Sequence, residues 1–164
     1  MRVHFWFIAE LLILLTVANG TPVITKSVLG DRLASPLDGG ARFFDGRPIF
    51  GSSKTWRGIF FSILVTSACA PLVGLSWRIG AMMASVAMAG DLFSSFLKRR
   101  MNLPAGSKAT GLDQVPESLF PLLACRRAVP LSALDVVVGV VIFLAGNLLL
   151  SRLLYHFHLR DRPY

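Results

Sequence analysis

The chain has 164 residues, of which 54% are hydrophobic and only 16% charged, whereas a soluble domain carries about 25% charged residues. That balance excludes an ordinary soluble domain and reads as one membrane domain, 1–164, with no room for a separate soluble unit. The net charge of +8 would suggest nucleic acid in a soluble protein, but membrane proteins gather Lys and Arg on cytoplasmic loops, so nucleic acid is set aside and anionic lipid and nucleotide phosphates remain as partners.

The first apolar run, about His4 to Ala18, resembles a signal peptide in outline, but Glu10 interrupts it and further spans follow, so it reads as a retained helix. A polar stretch from Asn19 to Arg57 reads as an ordered loop with turns at Asp38-Gly39-Gly40 and Asp45-Gly46. The second span is about Gly58 to Leu75, and the third is about Ile79 to Leu97, rich in the small residues that let helices approach closely. A second polar loop, 98–111, follows. Leu112 to Ala133 is apolar in its middle but broken by Pro116, Pro121, Arg126, Arg127 and Pro130. The last span is about Leu134 to Tyr155. The fold expected is an all-α membrane bundle of about five helices, or four if Leu112–Ala133 does not cross.

Lys26, Arg32, Arg42, Arg47, Lys54 and Arg57 crowd the first loop, and Lys98, Arg99, Arg100 and Lys108 the second. Both loops therefore belong on the same, cytoplasmic side. Cys69 and Cys125 lack metal-ligand spacing and read as small packing residues.

Five of the nine acidic residues, Asp38, Asp45, Asp91, Asp113 and Glu117, lie in or beside these loops. Glycines in the first loop allow close backbone approach to a ligand and anion-binding nests, while Lys54, Arg47 and Arg57 suit phosphate. Gly51 to Thr55 lacks the spacing of a P-loop. Asp91 is the sharper signal, because an ionisable residue within a span is costly and marks function. Asp91, Ser94 or Ser95, and Lys98 share a helix stripe, a combination suited to a metal–triphosphate site. Asp113 and Glu117, at i and i+4, either share a helical face as Mg²⁺ ligands or complement a helix N-terminus. Glu10 is an intramembrane acid that either marks a site or pairs with a neighbouring helix. Asp135 sits near an interface, and His4, His156 and His158 read as interfacial.

Together, Asn19-Gly20-x-Pro22, Asp38-Gly39-Gly40, Asp45-Gly46-Arg47, Gly51-x-x-Lys54-Thr55-Trp56-Arg57-Gly58, Gly90-Asp91-Leu92, Ser95-Phe96-Leu97-Lys98-Arg99-Arg100 and Leu112-Asp113-Gln114 resemble the CDP-archaeol synthase family, relatives of the CDP-diacylglycerol synthases. The resemblance implies a five-helix membrane enzyme whose two cytoplasmic loops bind nucleotide. It implies Mg²⁺-dependent transfer of CMP from CTP to a lipid phosphate, phosphatidate-type or 2,3-bis-(O-geranylgeranyl)-glycerol phosphate, with pyrophosphate released. By the same resemblance Asp91, Asp113 and Lys98 are catalytic, and Asp91, Asp113 and Glu117 hold metal. Asp38, Asp45, Arg47, Lys54, Arg57, Ser95 and Arg99 bind substrate, and the protein sits in the cell membrane as a multi-pass enzyme. Two departures stand out. Ser52-Ser53 replaces the family's Asp-Gly before Lys54, and Val115-Pro116 replaces Leu-Asp after Gln114, with Glu117 one residue further on. A catalytically inactive relative that binds nucleotide or anionic lipid is the alternative.

Overall fold

The computed structural model describes residues 3–107 and 109–156; Lys108 and His158 lie outside the described residues. Five α-helices follow one another: α1 Phe5–Leu29, α2 Trp56–Cys69 continued by a 3₁₀ turn at Ala70–Val73, α3 Trp77–Arg100, α4 Gln114–Cys125 and α5 Ala133–His156. Three of these elements, α1, α2 with its 3₁₀ turn, and α3, are long and apolar enough to cross a membrane, and α5 is apolar over Ala133–Leu149. The only extended pairings among the described residues are single bridges inside the first loop. The chain is thus the all-α membrane bundle that its composition implies, with lipid-facing residues such as Phe5, Phe60, Leu64 and Val141 exposed on the outside. Leu11, Leu14, Leu15 and Ala18 of α1 pack with Met83, Ala84 and Ala87 of α3 and Leu122 of α4 in the core. Cys125 is buried in that core with a free thiol, and Cys69 packs against it.

The first helix corrects the sequence reading. Asn19-Gly20-x-Pro22 reads as the start of a loop, yet α1 runs on for eleven residues, to Leu29, before Gly30 stops it at φ 53°. Proline lacks the N–H that would bond the carbonyl four residues back, so Pro22 frees the Ala18 carbonyl. The buried Ser62 hydroxyl of α2 donates to that carbonyl at 2.7 Å. Within lipid such a replacement partner allows a helix to continue through proline. The first loop therefore begins at Gly30 rather than at Asn19 and ends at Thr55, whose hydroxyl accepts from Gly58 N–H at 3.3 Å and caps α2. The second loop likewise begins at Met101, because Lys98, Arg99 and Arg100 form the last turn of α3.

The stretch Leu112–Ala133 contains a helix of only 12 residues, α4. Its start explains its length. A Cβ placed on Gly90 would lie 2.7 Å from the Pro116 carbonyl carbon and 3.0 Å from Glu117 N. Gly90 is therefore the notch against which the first turn of α4 packs. Ten residues of α3 remain above that notch, about 15 Å of helix. The second loop must fold back down along α3, and α4 starts inside the bundle. Pro116 is tolerated because it falls in the first helical turn, where N–H groups have no intrahelical partner.

At the opposite end of the bundle, Ser132 and Asp135 cap α5 reciprocally: Ser132 N donates to Asp135 Oδ2 at 2.8 Å and Asp135 N donates to Ser132 Oγ at 3.1 Å. Asp135 also accepts from His4 N at 2.9 Å and contacts His4 Nδ1 at 3.0 Å. That cap joins the starts of α1 and α5, which gives both residues structural work.

Gly90→Ala should force α4 off its seat and cost about 1–3 kcal/mol, as overpacking does, visible as a lower thermal midpoint in detergent. Gly146→Ala, whose Cβ meets nothing within 4 Å, should leave the midpoint unchanged or slightly raised.

Candidate active site

The first loop is organised around a carboxylate. Asp38 Oδ2 accepts from Phe50 N and Gly51 N, each at 2.9 Å, and Oδ1 accepts from Gly40 N at 3.0 Å. Partial burial alone would raise its pKa, but these N–H groups outweigh it and hold the carboxyl below its ordinary 3.8. Asp45 accepts from Arg47 N at 3.0 Å and from Arg100 Nη1 at 2.6 Å. Arg100 also donates to the carbonyls of Arg47 and Pro48, and its guanidinium lies 4.9 Å from the ring centres of both Phe43 and Phe96. Arg47 returns a bond to the Arg100 carbonyl. The loop is thereby clamped to the end of α3. Gly51, at φ 91°, is where the two loops meet: its Cβ would lie 3.1 Å from Ala105 Cβ and 3.4 Å from Arg99 Nη1.

Below this clamp lie two ion pairs that cross between elements. Lys54 Nζ of the first loop is 2.5 Å from the Asp91 carboxylate of α3. Lys98 Nζ of α3 is 2.7 Å from Asp113 Oδ1 at the start of α4 and donates to the Ser107 carbonyl at 2.7 Å. Asp113 Oδ2 caps the second loop by accepting from Ala109 N at 2.9 Å. Glu117 lies in contact with Asp91 and within the electrostatic reach of Lys54 and Asp113. Asp91, Asp113 and Glu117, together with Lys54 and Lys98, thus form one buried to half-buried charge cluster. Not every polar atom in and beside this cluster has a hydrogen-bond partner. Among the described residues, Arg99 Nε, Ser107 Oγ and Asp113 Oδ1 are buried without a hydrogen-bond partner. Oδ1 has an ion-pair contact with Lys98 but not hydrogen-bond geometry.

A cavity of about 370 Å³ opens beside Asp91. Lys54, Arg57 and Asp91 line it together with Lys26, Asp31 and Ser53, and Pro22, Met88 and Leu92 form apolar wall. Arg57 is buried there and donates to the Arg32 carbonyl.

Of the residues singled out from sequence, Asp91, Lys54 and Arg57 meet at the cavity, and Lys98, Arg99 and Asp113 gather under the second loop. Ser95 is buried on the same stripe of α3. Asp38, Asp45 and Arg47 do not line the cavity, and their polar atoms are engaged in holding the first loop. Asp91 pairs with Lys54 rather than with Lys98. Ser94, its companion on the stripe, spends its hydroxyl on the Asp91 carbonyl at 3.0 Å. Sequence reasoning missed Lys26 as a cavity residue because it reads only as one of the first loop's basic residues, and it did not single out Asp31. The i, i+4 spacing of Pro22 and Lys26, which puts both on one helix face, was the available signal.

Among the described residues, no three His, Cys, Asp or Glu side chains converge as a ready-made metal cage. Of the three carboxylates expected to hold metal, Asp91 and Asp113 each contact a lysine here. Mg²⁺ nevertheless needs only one or two carboxylates when substrate phosphates complete its shell. The Asp91, Asp113 and Glu117 carboxyls supply hard oxygens of that kind once their lysines turn to phosphate, so the residues present fit a metal carried in with a triphosphate.

A bundle that buries lysines, arginines and carboxylates under two clamped loops, beside a cavity with apolar walls, defines an intramembrane enzyme that handles phosphates. Comparison with known proteins agrees. A solved structure described as an intramembrane enzyme for archaeal membrane lipids biosynthesis superposes with a TM-score of 0.74 at 29% identity, covering 87% of this chain and 90% of that one. The CarS-like family model, CDP-archaeol synthase, matches residues 7–81 and 75–164. A CDP-archaeol synthase of Thermococcus onnurineus is 36% identical over 151 residues, 85% of this chain and 80% of the relative. One of Pyrococcus furiosus is 39% identical over 120 residues, 67% of this chain and 66% of the relative. The chain belongs to the CDP-archaeol synthase family and is a CTP-dependent cytidylyltransferase.

Because Asp38 titrates below 3.8, its bonds persist at neutral pH and are lost as the pH falls through the folded value. Asp38→Ala should open the first loop to limited proteolysis between residues 39 and 51 at pH 7. The unaltered chain should gain the same cleavage, read with an acid protease, only below pH 3.8.

Proposed function

We propose that the chain transfers CMP from CTP to the phosphate of an archaeol-type lipid, 2,3-bis-(O-geranylgeranyl)-glycerol phosphate, forming a CDP-lipid and pyrophosphate. The observation that carries this reading is the pair of lysine–carboxylate contacts, Lys54–Asp91 and Lys98–Asp113, set side by side where the two loops meet. In the reaction an oxygen of the lipid phosphate forms a bond to the α-phosphorus of CTP as the bond from that phosphorus to the bridging oxygen of pyrophosphate breaks. Little covalent work falls to the protein, so positioning and charge neutralisation dominate.

Lys98 and Arg99, buried under the second loop, hold the triphosphate, and Arg99 Nε and Ser107 Oγ are buried beside them without a hydrogen-bond partner among the described residues. Lys54, Arg57 and Lys26 line the cavity and take the lipid phosphate, whose chains leave past Pro22, Met88 and Leu92 toward the bilayer. Asp91 stands between the two phosphate sites and keeps Lys54 in place before substrate arrives. A Mg²⁺ ion bound by Asp91, Asp113 and the CTP phosphates would neutralise charge on the triphosphate. Glu117 supports the enzymatic reading: although Val115-Pro116 lacks the family's second acid, the Glu117 carboxyl reaches Asp91. The loops face the cytoplasm, where CTP is found, which agrees with their excess of Lys and Arg.

Purified protein in lipid nanodiscs should incorporate label from α-³²P-CTP into the diether lipid phosphate in the presence of Mg²⁺, and less or none into diacyl phosphatidate. Asp91→Asn and Lys98→Ala should each lower turnover by about 10²-fold or more, the scale for losing one electrostatic contact in the transition state. Lys26→Ala should raise the apparent KM for lipid while leaving that for CTP unchanged. A folded protein that binds CTP and makes no product with either lipid would return the reading to an inactive relative.

A further inference from the structure

A second cavity lies at the end of the bundle away from the loops. It measures about 490 Å³ and is formed between one face of α1 and the 3₁₀ turn after α2, with Trp6, Ala9, Ile13, Leu72 and Val73 as its walls. The one carboxyl in it belongs to Glu10, 8% exposed. Glu10 has neither an ion pair nor a side-chain hydrogen bond among the described residues, in contrast to Asp91, Asp113, Asp45 and Asp135, each of which has a cationic or histidine partner. Its Oε1 faces Gly74, lying 3.8 Å from where a Cβ would stand. Gly74 is held at φ 83° to close the 3₁₀ turn, so that turn forms the floor under the carboxyl.

An ionisable group inside the apolar layer is costly unless something pairs with it. The groove provides the other half of a recognition site as well, since the Trp6 ring shares the cavity with Glu10. An aromatic face beside a carboxylate is a combination that attracts ammonium groups, by cation–π attraction and by charge. The apolar walls suit an alkyl chain. Twelve residues of α1, about 18 Å, separate Glu10 from Pro22 at the loop-side cavity, so the groove is not part of the phosphate site. We propose that it binds a lipid or other amphiphile with an ammonium head group, Glu10 and Trp6 taking the head and Ile13, Leu72 and Val73 the chain.

The test compares two photoreactive amphiphiles of equal chain length, one ending in trimethylammonium and one in an uncharged alcohol, with the full chain in nanodiscs of phosphatidylglycerol. The ammonium probe should label peptides spanning 6–13 and 72–74 at least about tenfold more than the alcohol, the scale of one charge-assisted contact. Glu10→Gln should bring the two probes level while CMP transfer, used as the check on folding, stays unchanged. Equal labelling by both probes in the unaltered protein would overturn the proposal without recourse to any variant. So would an ammonium preference that survives in folded Glu10→Gln; a variant that fails to fold leaves the decision to the probe comparison.

Discussion

A carboxylate carried into an apolar helix bundle has to be paired, and in this chain the pairing ties the architecture together. Asp91 sits on α3, nine residues from that helix's end, and its partner Lys54 comes from the loop between α1 and α2. Asp113 sits at the start of α4, and its partner Lys98 comes from the last turn of α3. Two ions that leave water gain enough from each other only when their geometry is good and their remaining bonds are met. The first loop must therefore be drawn down onto α3, and the second must fold back along it. Asp38, Asp45 and Arg100 are the fittings that make this descent rigid, and Gly90 is the notch that lets α4 arrive at the right depth.

In the proposed reaction the same pairing prepares the chemistry. Lys54 and Lys98 are held by carboxylates in a setting where water is largely excluded, so a phosphate arriving there competes with an anion for an already desolvated cation. A lysine that turns from carboxylate to phosphate leaves an oxygen donor behind. That exchange suits a site whose acids are lysine-bound in the free protein and would hold a metal only together with substrate oxygens. Electrostatic contacts in such a preorganised, low-dielectric setting carry far more weight than they would in water.

Much of this was legible in the sequence, for identifiable reasons. Asp91 announced itself because charge in a span is rare, and Lys54, Lys98 and Asp113 because they stand among glycines and serines in short polar stretches. The membrane bundle followed from the apolar runs. What stayed hidden depended on contacts between distant segments. Pro22 looked like a helix end, since nothing nearby reveals that Ser62, forty residues on, satisfies the freed Ala18 carbonyl. That Asp38 and Asp45 hold the first loop was not legible, because a turn-forming acid and a ligand-binding acid share the same Gly-rich neighbourhood. Arg100 was one basic residue among three, and only its place between Phe43 and Phe96 marks it as the clamp. The depth of α4 could not be read from twelve mixed residues containing two prolines.

In the proposed reaction the two loops form adjoining phosphate sites on either side of Asp91, and their lysines change partners when substrate binds. A structure of the chain with Mg²⁺ and CTP in a lipid environment tests it most directly. The triphosphate is expected between Gly51 and Ser107, with Lys98 turned from Asp113 toward phosphate and the Asp91 and Asp113 carboxyls free to hold a metal. Nucleotide bound elsewhere, with both lysine–carboxylate pairs intact, would contradict it.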